Sequence, residues 1–100
     1  MSDSSTWILE PSNRKDKRFR FYNDKQNFHF GSRGANTYID SRSLKDRDNY
    51  LARHSKLNED WDSINSGSLS RYLLWGNSKR LLNNIADYER KFNIKVINRV

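Results

Sequence analysis

Between residues 18 and 30 the chain alternates polar and aromatic positions. Phe19 and Phe21 are flanked by Arg18, Arg20 and Tyr22, and Phe28 and Phe30 by Asn27 and His29. A period of two puts successive side chains on opposite faces of a strand. The turn formers Asn23-Asp24-Lys25-Gln26 separate the two runs. Together they predict a β-hairpin with Phe19, Phe21, Phe28 and Phe30 on one face and Arg18, Arg20, Tyr22 and His29 on the other. Gly31 and Gly34 then break the strand, and Thr37-Tyr38-Ile39 reads as a short extended piece, a source for a third strand.

The period changes after Asp40. Ser43 with Asp46 approximates a capping box, with Asp in the usual Glu position, and opens a first helix over about 44–54. Its apolar face is thin: Leu44, Tyr50 and Leu51, with charges of both signs elsewhere. In the loop that follows, Asn58 to Asp62, Trp61 is the expected anchor. Ser66 or Ser68 should cap a short second helix in which Leu69, Tyr72 and Leu73 fall at i, i+3 and i+4. Gly76 ends it, as glycine does just past a helix. Asn77 or Ser78 opens a third helix. Leu81, Ile85, Tyr88 and Phe92 form the clearest helical stripe in the sequence, and Asn93 is the expected left-handed cap. The fold class expected is therefore α+β: an N-terminal aromatic hairpin, extended to three strands by 37–39 or by the C-terminal tail, packed on three short helices. Phe19, Phe21, Phe28, Phe30, Leu69, Leu73, Ile85, Tyr88 and Phe92 should form the core.

Both ends fall outside these periods. Residues 1–13 are expected to be a flexible arm, with the apolar island Trp7-Ile8-Leu9 stopped by Pro11. Residues 94–100 form an extended, β-like tail with Ile94, Val96, Ile97 and Val100. The domain proper is then 14–93. Trp7, Ile8, Leu9, Ile94 and Val96 are candidate partner-binding residues, by insertion or strand addition; the alternative is that both ends fold back on the domain.

Composition sharpens this picture. Only 34% of the 100 residues are hydrophobic and mean hydropathy is −1.08, but 13% are aromatic. Aromatic side chains bury much area each, which argues for an ordered core over disorder. Absence of cysteine excludes a disulfide framework and cysteine-based zinc sites. No apolar run approaches the roughly 20 residues of a membrane span, and the first residues lack the layout of a signal peptide. A soluble, non-secreted protein is expected.

The net charge is +7, which favours polyanionic partners. The charge is concentrated: residues 14–40 hold seven basic and three acidic side chains, and residues 78–100 six and two. If the hairpin and the third helix share a face, these combine into one basic surface. Arg14, Lys15, Lys17, Arg18, Arg20 and Tyr22 are the candidate polyanion-binding set, since arginines beside a tyrosine can hold phosphate and stack on bases. The preferred reading is that Arg18 and Arg20 keep a sheet face soluble and protect its edge. Arg53 and Arg71 lie in partly apolar helical segments, where pairing with Asp40, Asp48 or Asp60 would make them structural.

No catalytic, cofactor or metal site is read from the sequence. The two histidines, His29 and His54, match no zinc spacing. His54 suits the carbonyls of a helix C-terminus, and His29 suits solvent. Ser66, Ser68 and Ser70 have no evident histidine partner. Gly31-Ser32-Arg33-Gly34 is too short for a dinucleotide fingerprint.

Several strings carry a resemblance: Phe30-Gly31, Gly34-Ala35, Thr37-Tyr38-Ile39-Asp40, Arg47, Asn49-Tyr50-Leu51-Ala52-Arg53-His54, Trp61, Gly67, Leu69-Ser70-Arg71-Tyr72-Leu73-Leu74-Trp75-Gly76, Tyr88 and Lys91-Phe92. Over about 17–92 the chain resembles a family of small proteins encoded by large eukaryotic DNA viruses, the phycodnaviruses, mimiviruses and their relatives. Ser41 stands where that family often has histidine. The resemblance implies no enzyme activity. It implies a virion or host cytoplasmic or nuclear setting and a structural role such as a minor capsid protein, with other capsid or core proteins as partners. The runner-up is a nucleic-acid-binding module built on the basic hairpin.

Overall fold

The computed structural model describes residues 5–57 and 59–100. The first four residues of the expected arm, and Asn58 of the Trp61 loop, lie outside the described residues. The fold is α+β: a four-stranded sheet of β1 (Thr6–Pro11), β2 (Lys17–Tyr22), β3 (Asn27–Ser32) and β4 (Lys95–Asn98) in the order β3-β2-β1-β4. Three helical elements accompany it: α1 (Leu44–Ser55), α2 (Ser66–Leu69), which runs directly into a π-helical turn over Ser70–Leu74, and α3 (Leu81–Phe92).

The hairpin forms as the alternation predicts. Phe19 faces Phe30 and Phe21 faces Phe28 across the antiparallel β2–β3 pair. Asn23 closes the turn, its side-chain oxygen accepting from the amides of Lys25 and Gln26.

The arm and tail expectation is corrected. Residues 6–11 are an interior strand of the sheet, antiparallel to β2 and parallel to β4. The period of two explains it: Trp7 and Leu9 share the face of Phe19 and Phe21, so the apolar island completes a half-built core. Trp7 is 3% exposed and stacks on Phe21 at 4.8 Å between ring centroids. β4 brings Val96 beside Trp7 on the same face, and Ile94 and Val96 pack partly buried against the core. The folded domain thus takes in both segments, and the extra strands come from the two ends. Thr37-Tyr38-Ile39 is instead a turn, held by Asp40, whose carboxylate accepts from the Thr37 amide and hydroxyl.

α2, the π-helical turn and α3 pack on the Trp7–Phe21 face, while α1 docks on Trp75 through Tyr50. Tyr88 of α3 meets Phe21 edge-on at 5.8 Å, and Leu69, Leu73 and Leu74 join the buried cluster. The Ser43–Asp46 capping box of α1 is present. The second helix is capped by Asn65, reciprocally with Ser68, because Asn65 Oδ1 reaches the Ser68 amide and leaves Ser68 to bond the Tyr88 hydroxyl at 2.8 Å. α3 starts at Leu81, a turn later than expected. Asn84, fully buried, has taken the preceding segment into its own network: it accepts from the Ser78 amide and donates to the carbonyls of Leu73 and Ser78. Asn93 is the expected left-handed cap at φ 53°.

Gly76 follows just past the π-helical turn, as expected. It is not among the positive-φ residues. A β-carbon there would collide with the Tyr72 carbonyl oxygen and stand 2.7 Å from the Asn84 side chain. The position needs glycine for close approach, not for a left-handed cap.

Candidate functional site

The candidate polyanion-binding residues divide once their partners are seen. Arg18 makes a bidentate pair with Asp40, at 2.7 and 2.8 Å. This pairing holds the Asp40 carboxyl down to about 2, first through the arginine hydrogen bonds and then through those from Thr37. Arg20 donates to Glu10 at 3.2 Å and to Asn27 at 2.9 Å, with its guanidinium 3.8 Å over the ring of Tyr22. Arg14 lies 3.5 Å from Asp16, both well exposed. Lys15 is exposed, and Lys17 turns toward a cleft beside β3. The hairpin is therefore not an open row of cations: its guanidiniums are largely matched by carboxylates of the same domain. Nor do hairpin and α3 share a basic face, because Tyr88 puts α3 on the face opposite Arg20.

The candidate partner-binding residues divide as well. Trp7 and Leu9 are inside the core and have no surface to offer. Ile8 points the other way. It pairs in register with Tyr22 on one side and with Ile97 on the other. These three, with Thr6, Asn23 and Asp24, line a hollow of about 330 Å³ on the outer face of the sheet. Ile97 is 39% exposed. Sequence reasoning noted Ile97 only as part of the tail; the pairing that places it beside Ile8 joins residues far apart in the chain.

The histidines are corrected too. His29 is half-buried, and its Nδ1 is 2.7 Å from the Ser12 hydroxyl, which also accepts from the Arg14 amide. Burial, and then the nearby charge of Arg14, lowers its pKa. The Ser12–His29 pair clips the end of β1 to β3. His54 donates from Nδ1 to the Glu59 carboxylate at 3.0 Å, and the Trp61 indole donates to the same oxygen at 3.2 Å. It thereby turns to a carboxylate, not to the helix carbonyls.

Arg71 pairs with none of the acids expected for it. Its guanidinium lies 4.7 Å over Tyr72 and 5.3 Å over Trp61, and donates to the Trp75 carbonyl. Arg47 donates to the same carbonyl and to that of Gly76. Two cations thus close the end of the π-helical turn, where carbonyls lack backbone partners. Burial, and then Arg47, lowers the pKa of Arg71.

A stack of three rings was not legible in the sequence. Tyr50 lies 4.5 Å from Trp75, nearly parallel, and 4.1 Å from His54. Burial, and then the Glu59 carboxylate, pushes the Tyr50 hydroxyl up to about 12. The i, i+4 spacing of Tyr50 and His54 was a signal for that half of the stack.

No helix among the described residues is long and apolar enough to cross a membrane. A family of unknown function, DUF5754, matches residues 7–54. That segment takes in β1, the hairpin and most of α1. No curated protein and no solved structure matches the chain.

Proposed function

We propose that this chain is a non-enzymatic interaction protein that docks another protein on the outer face of its sheet. The observation that carries this reading is the hollow lined by Ile8, Tyr22 and Ile97. Ile8, Tyr22 and Ile97 give it an apolar lining and Thr6, Asn23 and Asp24 a polar one, a mixture found in protein interfaces. The charges beside it are already balanced, Arg20 against Glu10 and Arg18 against Asp40. A phosphate would have to displace a carboxylate to reach either arginine, whereas a protein surface need only cover them. In the setting that the resemblance implies, the partner is another capsid or core protein and the chain a minor component of a virus particle, assembled in the host cytoplasm or nucleus.

The test is a photoreactive side chain placed at Ile97 during particle assembly, with a control at Leu82, which is 68% exposed on α3. The reading expects an adduct with a second structural protein from position 97 and none from 82. No adduct from 97, or adducts only with nucleic acid, would overturn it.

A further inference from the structure

Away from the outer sheet face, a cleft of about 440 Å³ lies between the end of β3, the loop after it, the C-terminal half of α1 and the α2 region. It adjoins a second hollow of about 330 Å³, with Asn36, Tyr50, Arg53 and Trp75 common to both. The larger cleft is lined by Lys17, Arg53 and His54 and by no carboxylate. Among the described residues, neither Lys17 nor Arg53 has an ion-pair partner. They differ in this from Arg14, Arg18 and Arg20, which all face acids. One wall is the ring stack His54–Tyr50–Trp75, with His54 held in orientation by Glu59.

We infer that this cleft binds a nucleotide unit, with the base continuing the His54–Tyr50–Trp75 stack and the phosphate between Lys17 and Arg53. Three features converge on that chemistry. Two cations without ion-pair partners, in a cleft whose own lining has no carboxylate, attract a phosphate; Asp46 lines only the adjoining hollow, where Arg42 faces it. The Tyr50–Trp75 pair, 6° from parallel, with His54 tilted 29° on Tyr50, offers a platform for a planar base, which stacks on aromatic side chains independently of sequence. The volume lies within the range of small-ligand pockets, roughly 300–1,000 Å³. Trp75 and His54 are each half-buried, so both retain surface for a further ring. The site is independent of the sheet-face reading: it uses other residues, and either can fail alone. It also moves nucleic-acid chemistry from the hairpin arginines to residues that are free to engage it.

The same nucleotide unit is presented by a free mononucleotide and by a single strand. Both are therefore titrated into the full chain: AMP, and a fluorescently labelled oligothymidylate, with inorganic phosphate as the competitor that lacks a base. Binding is read from indole N–H chemical shifts for AMP and from anisotropy for the strand. Arg53→Glu should weaken binding by about tenfold or more, whereas the charge-matched Lys25→Glu in the hairpin turn should change it by less than about threefold. Saturation by AMP with a shift at Trp75 assigns the site to free nucleotides; saturation by the oligonucleotide alone assigns it to a strand. The proposal is overturned if neither ligand binds, if both variants lose affinity equally, or if inorganic phosphate competes as well as AMP does. Trp75→Leu, checked for native folding by circular dichroism, supplies the base-directed arm; unchanged affinity in that variant also overturns the proposal.

Discussion

Asp40→Asn is the substitution whose effect the structure lets one work out furthest. The Asp40 carboxylate accepts from both terminal nitrogens of Arg18 and from the amide and hydroxyl of Thr37. Its pKa is about 2 in the folded chain against an ordinary 3.8. That difference corresponds to roughly 2 kcal/mol of stability at neutral pH. The side chains of Arg18 and Asp40 each remain 26% exposed, so solvent screening reduces the expected value to about 1–2 kcal/mol. The sign follows from linkage. A depressed folded pKa means that the contribution is complete above 3.8 and is lost as pH falls toward and through about 2. Asparagine removes the charge and turns one donor toward the guanidinium, so its cost should be largest near neutrality and should shrink over the same window. Urea denaturation of both proteins at pH 7, 4, 3 and 2 measures the difference, and common acid effects cancel in it. A gap between the two proteins that is negligible at pH 7, or that does not narrow down to pH 2, would refute the reasoning and with it the structural role of Arg18.

Gly76→Ala should cost about 2–4 kcal/mol, because the new methyl meets the Tyr72 carbonyl and the hydrogen-bonded Asn84 side chain. Gly76→Asn should be worse than alanine, the opposite of what a left-handed cap would give; urea midpoints separate the two. Trp7→Ala should cost about 3–5 kcal/mol by the same assay, as a truncation inside the core rather than of an arm. Ile97→Asp should change stability by less than about 1 kcal/mol, since the side chain is already partly in water.

The hairpin was legible because each aromatic alternates with a polar residue and turn formers lie between the runs. The α3 stripe and the Asn93 cap were legible for similar local reasons. Trp7-Ile8-Leu9 was misread because its strand has no hairpin neighbour before it. Its partners are β2 and, through a parallel pairing that spans almost the whole chain, β4, and period alone does not declare such partners. The π-helical turn over Ser70–Leu74 hides behind ordinary helical spacing for the same reason. Charge was the poorest guide. A basic run looks the same in sequence whether its arginines face water or face Glu10 and Asp40, so the sequence leaves both a solubilising face and a phosphate grip open. Lys17 and Arg53, far apart in sequence, come to line one cleft only in the fold.

The most direct test of the central claim, that the outer sheet face around Ile97 is the docking surface, is competition between wild-type chain and Ile97→Asp for incorporation into assembling particles, each normalised to its folded soluble pool. Covering the 39% of Ile97 left exposed contributes about 0.6–1.2 kcal/mol, and burying an unpaired carboxylate in its place costs about 1–3 kcal/mol more, together about tenfold or more in occupancy. The account predicts that the variant folds with wild-type stability and is depleted from particles by about that factor. Equal incorporation of the two chains at equal stability would contradict it.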